Sequence, residues 1–307
     1  MLYIFIALIC LLILFLFASY CTYVFTFRAR KDRARDAYFL PTHEAFKHDN
    51  EIMFSLISDF DALPYERVYT KSFDGLTLTA RYYHIKDGAP VQLQCHGYRG
   101  NPIRDFCGGS KLARELNHNF LVIEQRAHQD SQGNVISFGV NERKDVCAWH
   151  DYLVDRFGKD VDVLLYGVSM GAATVLMAGA YNLSNVRCIV ADCPYSTPQA
   201  IIKKVSRGMG FPAFLSMPLA YTGAFLFGRF RLSGASAVEG AKNTRVPILL
   251  IHGENDLFVP CSMSREIAMD NKHVRLETFP DADHALSFIK DFDRYRRVCF
   301  EFLSENL

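Results

Sequence analysis

Ser169 stands in the run Leu164-Leu-Tyr-Gly-Val-Ser-Met-Gly-Ala-Ala-Thr174, with a glycine two residues before it and another two after. A serine hydroxyl is a weak nucleophile until a neighbouring base takes its proton. A Gly-x-Ser-x-Gly run makes it an attacking group where a buried strand turns directly into a helix, because the tight corner lifts Oγ above the sheet edge and excludes bulk on both sides. The chemistry is acyl transfer: attack on a carbonyl carbon, with the proton passed through an imidazole. In a chain with 19 glycines the pattern alone is permissive, so a base, an acid and the surrounding elements have to agree with it.

In an elbow of this kind the acid and then the base follow the serine along the chain. His252, His273 and His284 are the histidines after Ser169. His252 falls in the strand end "LLIHG", where packing or fixing the following loop suits it better, and His273 sits in a charged turn. His284, in "PDADHALS", lies just past a last strand, in a loop able to lean over the serine. The acid is expected after the strand "VPILLIHG". Asp256 in "HGENDLFVP" is favoured, with Glu254 and Asp192 as the runners-up, and Asp281 and Asp283 are too close in sequence to His284 to orient its ring. The acid's task is to fix the imidazole tautomer and stabilise the imidazolium. Two backbone donors are expected for the oxyanion: the Met170 N–H directly after the serine, and the Tyr98 N–H in "HGYRGN" after the strand "VQLQCHG".

The elements that must hold these residues alternate between strand and helix. A hairpin is expected around Asp74-Gly75 within "ERVYTKSFDGLTLTARYYHI". Strands then follow at 91–97, 120–125, 161–167, 186–193, 246–253 and 274–280, with helices at about 103–117, 141–157 and 170–181 and a last one running to Leu303. Near-continuous apolar strands separated by helices predict a mostly parallel sheet covered on both faces, with ligands at the carboxyl ends of the strands. The roughly fifty residues from Pro194 to Arg245 exceed a simple crossover, and their apolar helical segments predict a cap over the strand ends.

With 307 residues, half of them hydrophobic and 22% charged, the chain fits one large α/β domain, and its net charge of +1 gives no footing for nucleic acid. Nine cysteines, an odd number with no Cys-x-x-Cys spacing, read as reduced core thiols. No metal-ligand spacing is present, and neither a metal nor a cofactor is expected.

From Leu2 to Phe27 there is no charged residue. As a helix these residues extend about 39 Å, more than the ~30 Å hydrocarbon core of a bilayer. The run has neither the basic start nor the small-residue cleavage site of a signal peptide, so an uncleaved transmembrane anchor over 1–27 is expected. The flank "RARKDRAR" carries five basic residues against one acidic, which places it and the catalytic domain on the cytoplasmic side. Residues 28–65 form this basic flank and a helical connector ended by Pro64, resting either on the domain or along the membrane; the domain proper is 66–307.

The motifs "HGYRGN", "EQRAHQDSQG", "GVSMGAA", "HGENDLFVP" and "DADHALS" occur in the order of the α/β-hydrolase superfamily. The chain most closely resembles its bacterial, singly membrane-anchored members, described as serine-aminopeptidase-like or prolyl-oligopeptidase-like. Over about 66–303 the resemblance implies that fold, a Ser169–Asp256–His284 triad, oxyanion donors at Tyr98 and Met170, and a cap at 194–245. Gln129 departs from the pattern, because relatives usually carry glycine there. The function expected is a membrane-anchored serine hydrolase cleaving carboxylic ester, thioester or small amide bonds, with a small acyl or lipid-like substrate. The alternative of an aminopeptidase needs a carboxylate in the cap to hold an amino terminus, and Glu239 is the only one between Asp192 and Glu254. A non-catalytic scaffold is the remaining reading, disfavoured because every expected catalytic residue is present.

Overall fold

Runs of valine, isoleucine and leucine without polar alternation can satisfy both faces of a strand only inside a protein. Four strands are buried at every position here, in a computed structural model that describes residues 1–30, 36–38, 40 and 47–307. Much of the basic flank and the start of the connector lie outside the described residues. In chain order the elements are α1 (Leu2–Thr26), α2 (Lys47–Asp61), β1 (Glu66–Lys71), β2 (Thr77–Tyr83), β3 (Val91–Cys95), α3 (Pro102–Asp105), α4 (Cys107–Glu115), β4 (Asn119–Glu124) and α5 (Glu142–Phe157). They continue with β5 (Val163–Val168), α6 (Met170–Gly179), β6 (Val186–Asp192), α7 (Pro198–Gly208), α8 (Ala213–Thr222, continued by a π-turn over Gly223–Phe227) and α9 (Ala237–Asn243). The chain ends with β7 (Ile248–Gly253), α10 (Ser262–Ala268), β8 (Val274–Phe279), α11 (Ser287–Lys290) and α12 (Phe292–Asn306).

The strands form one eight-stranded sheet in the order β1-β2-β4-β3-β5-β6-β7-β8. β2 pairs antiparallel with β1 and β4, and the other pairings are parallel. After β4 the chain returns to the far side of β3, so the sheet switches direction between β3 and β5. A crevice opens at such a switch, outside the carboxyl ends. Register lines those ends up: Cys95 lies beside Gly167, Val168 beside Asp192, Asp192 beside Ile251, and Gly253 beside Phe279. The loops carrying Tyr98, Ser169, Asp256 and His284 therefore leave one edge of the sheet.

The expected helix at 103–117 is two pieces that part at Phe106. Asn101 caps the first, its side chain accepting from Ile103 and Arg104 N–H. Gln129 has φ +45°, which explains why glycine suits that position. The connector helix α2 lies on the domain, with Ile57 and Phe60 fully buried and Phe60 packed on Tyr83 and Phe120.

α1 is long and apolar enough to cross a membrane, and within it only Ser19 and Tyr23 are buried. The described residues at its last turn are tied to the domain. Phe27 is buried edge-on to Phe138 and Phe230, the Ile136 N–H donates to Phe27 O at 2.7 Å, and Arg28 bridges to Val135. The expected cap, 194–245, follows β6 as α7, α8 and α9, and α8 with its π-turn packs along the last turns of α1.

Candidate active site

The corner after β5 is as tight as the motif requires. A Cβ on Gly171 would lie 1.8 Å from the Cys95 carbonyl oxygen, and one on Gly167 would lie 2.2 Å from the Gly171 carbonyl. Any larger residue at either position would drive strand and helix apart. Ser169 itself is held at φ +55°, ψ −115°, a conformation a non-glycine residue adopts only when its surroundings enforce it. Its N–H donates to Asp192 O at 2.8 Å, and α6 behind it is buried at every position from Met170 to Gly179. The hydroxyl thus stands at the amino end of a rigid helix.

The three side chains expected to act together are joined. His284 Nε2 lies 2.9 Å from Ser169 Oγ, and His284 Nδ1 lies 2.6 Å from Asp256 Oδ2. Since a carboxylate only accepts, the Nδ1–H donates to Asp256, which leaves Nε2 free to take the serine proton. Asp256 is buried, and its other oxygen accepts from the N–H groups of Phe258 (2.9 Å) and Val259 (2.7 Å). Burial alone would raise its pKa; hydrogen bonds from His252, His284 and Val259 N–H overcome that and hold the carboxyl well below the usual carboxylate range. His252 buttresses the acid loop, with Nε2 donating to Val259 O at 2.8 Å and Nδ1 paired with Ser264 Oγ at 2.6 Å.

The runners-up for the acid go elsewhere. Glu254 accepts from the Thr278 hydroxyl at 2.7 Å, out on the surface. Asp192 accepts from the Tyr295 hydroxyl at 3.0 Å, and Tyr295 is in turn bonded to the Tyr166 hydroxyl. The second Asp192 oxygen is buried without a hydrogen-bond partner among the described residues.

The loop after β3 is pinned on both sides of Tyr98. Gly97 N–H donates to Asp105 Oδ2 at 2.9 Å and Arg99 N–H to His128 Nε2 at 3.0 Å. The Tyr98 N–H between them has no acceptor among the described residues. The loop comes close to the serine, since a Cβ on Gly97 would sit 3.5 Å from Ser169 Cβ. Burial lowers the His128 pKa, and burial beside His128 lowers His96 to about 3, so both stay neutral; the His128 Nε2 lone pair then remains an acceptor for the loop. Asp105, His128 and His252 complete the site, yet no spacing distinguishes them in the sequence: each acts on a backbone group that only the fold brings near.

Beside Ser169 and His284 lies a cavity of about 740 Å³. Its walls are mostly apolar, with Phe106, Phe258, Phe288 and Ile289 among them, and the connector contributes Leu40 and Met53. No residue of 194–245 lines it, so the segment expected to cap the site does not wall this cavity, and the connector takes that place. Cys193, Asp256 and His284 offer ligand atoms within 4.8 Å of one another. Both His284 nitrogens are engaged, however, and burial pushes the Cys193 thiol well up and keeps it protonated, which suits proton transfer better than a metal.

A mostly parallel sheet with a serine elbow, and an acid and a histidine on the next loops along its edge, defines an α/β-hydrolase. The model of the alpha/beta hydrolase family matches residues 95–298, and the chain belongs to that family. Among curated proteins the chain is similar to YqkD of Bacillus subtilis, 26% identical over 226 residues that make up 72% of this chain and 74% of that protein. It is also similar to YfhR of Escherichia coli K12, 24% identical over 69% of each. Among solved structures the Pyrococcus furiosus esterase Pf2001 superposes with a TM-score of 0.62 at 23% identity, covering 81% of this chain and 94% of that one. The Pyrococcus horikoshii acylaminoacyl peptidase gives 0.60 at 17% identity, covering 84% of this chain and 43% of that one. At such identities the structural likenesses establish the fold.

Proposed function

We propose that the protein is a membrane-anchored serine hydrolase that cleaves carboxylic ester, thioester or small amide bonds through an acyl-enzyme. One observation carries this reading: the unbroken relay from Asp256 through His284 to Ser169 Oγ, at 2.6 and 2.9 Å. Ser169 Oγ attacks the carbonyl carbon while His284 Nε2 takes its proton, and the oxyanion accepts from the Tyr98 and Met170 N–H groups. His284 then gives the proton to the leaving group; water repeats the sequence and frees the acyl group. In the proposed organisation 1–27 is the anchor, 28–65 the flank and connector, and 66–307 the hydrolase domain. The basic flank puts that domain on the cytoplasmic side.

The apolar walls of the cavity favour an acyl or lipid-like substrate over a charged peptide. Glu239, the only carboxylate of 194–245, sits exposed on α9 beside Lys242 and not in the cavity wall. Of the carboxylates that do line it, Asp49 is paired with Lys290, Asp105 with Arg104 and the Gly97 N–H, and Asp192 with the Tyr295 hydroxyl, while Asp283 stands on the loop of His284. The test is labelling by a fluorophosphonate probe. Wild type should label and Ser169→Ala should not, and turnover of an activated ester should fall about 10⁶-fold in the variant. Equal labelling of both would remove Ser169 as nucleophile. Cleavage of a proline amide with no cleavage of acyl esters of any chain length would replace the esterase reading with the peptidase one.

A further inference from the structure

We propose that residues 209–228 form a second membrane-inserted element, dipping into the cytoplasmic leaflet beside the anchor without crossing the bilayer. The inference rests on the anchor reading of α1 and extends it to a part of the chain that composition alone assigns to a cap. From Met209 to Gly228 twenty consecutive residues carry no charge, between Lys203, Lys204 and Arg207 on one side and Arg229 and Arg231 on the other. Such a segment normally buries its apolar side chains; this one does not. Phe214 is 76% exposed and Phe225 59%, and Phe211, Leu215 and Leu226 are exposed beside them. A contiguous exposed apolar surface rimmed by polar groups marks contact with something other than water.

The neighbour of this surface identifies the occupant. A Cβ on Gly223 would lie 2.8 Å from Ser19 O and 3.3 Å from Tyr23, so the π-turn lies almost against the α1 backbone. The Phe227 ring meets Tyr20 edge-on at 5.2 Å and lies 6.0 Å from Tyr23. Close approach through a small residue is how helices associate inside lipid. α1 is also fixed to the domain at its end: Arg99 donates to the carbonyls of Phe25 (2.7 Å) and Arg28 (3.0 Å), and the Tyr98 hydroxyl donates to Thr26 O at 2.7 Å. With α1 in a bilayer, whatever packs on Ser19–Tyr23 lies at the depth of that leaflet. The helix from Ala213 to Phe227 has 15 residues, about 22 Å of rise, which is short of the ~30 Å needed to span. The basic residues at both ends suit an anionic headgroup layer.

The placement also sets the route to the site. Lys204 on α7 donates to Leu257 O at 2.8 Å, and Leu257 and Phe258 are exposed, with Phe258 in the cavity wall against His284. The acid loop therefore adjoins the helix that leads into the inserted segment.

The chain's single tryptophan, Trp149, is fully buried, so an added tryptophan reports its own surroundings. The full-length protein is reconstituted into phosphatidylcholine–phosphatidylglycerol vesicles with brominated acyl chains. Phe214→Trp and Phe225→Trp are compared with Phe15→Trp in the anchor and with Tyr69→Trp, an exposed residue of β1. Both segment variants should lose fluorescence as Phe15→Trp does, while Tyr69→Trp does not. Quenching at Phe15→Trp with none beyond the Tyr69→Trp level at either segment position overturns the proposal and leaves the anchor standing. No quenching at Phe15→Trp overturns the anchor reading and this proposal with it. Shielding of the segment from acrylamide without lipid quenching shows a second copy of the chain on the surface and overturns the proposal as well.

Discussion

Two buried aspartates sit at neighbouring strand ends and have opposite electrostatics. Asp192 closes β6, and Asp256 lies three residues beyond β7. Both are out of water, and burial pushes both carboxyls up. What differs is the set of donors around each. Asp256 receives hydrogen bonds from His284 and from two backbone N–H groups, with His252 3.3 Å away, so it stays ionised far into acid. Asp192 receives one tyrosine hydroxyl and has an orphaned oxygen; burial dominates and raises it to about 6. A carboxylate that must stabilise an imidazolium has to be charged whenever the imidazole is, and the donors give that property to Asp256. The comparison thus separates the favoured acid from its runner-up on physical grounds that residue type and chain order do not supply.

The strongest test of this division is Asp256→Asn. An amide keeps the shape but leaves Nδ1 of His284 without an obligate acceptor, which frees the ring to adopt the wrong tautomer. Turnover should fall about 10⁴-fold while the KM for a small ester changes little. If Asp192→Asn shows that loss and Asp256→Asn does not, the two assignments exchange. Stability should follow the same contrast. Asp256, held below its ordinary pKa, contributes stability above the usual carboxylate range and loses it only in strong acid, as pH falls through its depressed pKa.

The sequence carried some of these distinctions and not others. The meeting of Ser169 with His284 is legible because its signals are local: small residues at fixed offsets around the serine, and a short polar loop after the last apolar strand. The order of strands and helices was legible for the same reason, since an apolar run between turn residues is read within a ten-residue window. Asp256 was favoured by its place in the chain, but its two backbone donors belong to a loop geometry that no local pattern encodes. The connector's share of the cavity wall is not legible. An apolar stretch at 194–245 reads as a cap, yet none of its residues lines the cavity beside Ser169. Met53 of the connector does line it, because Ile57 and Phe60 anchor α2 to the domain.

Asp192→Asn tests the other half of the comparison. The wild-type group has its pKa raised from 3.8 to about 6, so its contribution to stability is full below the ordinary carboxylate pKa and is lost as pH rises through about 6. The amide cannot ionise and does not suffer that loss. Relative to wild type, Asp192→Asn should gain stability between pH 4 and pH 8, by up to about 3 kcal/mol. Thermal unfolding of both proteins in one detergent at the two pH values measures it. A variant that gains nothing at the higher pH would mean that Asp192 is already ionised and solvated through the cavity.

The smallest effect isolates the donor. Tyr295 is fully buried, and its hydroxyl donates to Asp192 Oδ2 while accepting from the Tyr166 hydroxyl. Tyr295→Phe removes the one side-chain donor to Asp192, so ionising that carboxyl becomes harder still and its pKa rises further. A hydrogen bond to a charged acceptor is worth about 1 kcal/mol more than one to a neutral acceptor. Tyr295→Phe should therefore cost about 1 kcal/mol more at pH 8 than at pH 4. The excess should vanish in the double variant with Asp192→Asn, where no charge remains for the hydroxyl to stabilise. An equal cost at both pH values would show that Tyr295 acts through packing alone and that its hydroxyl does nothing to hold down the Asp192 pKa.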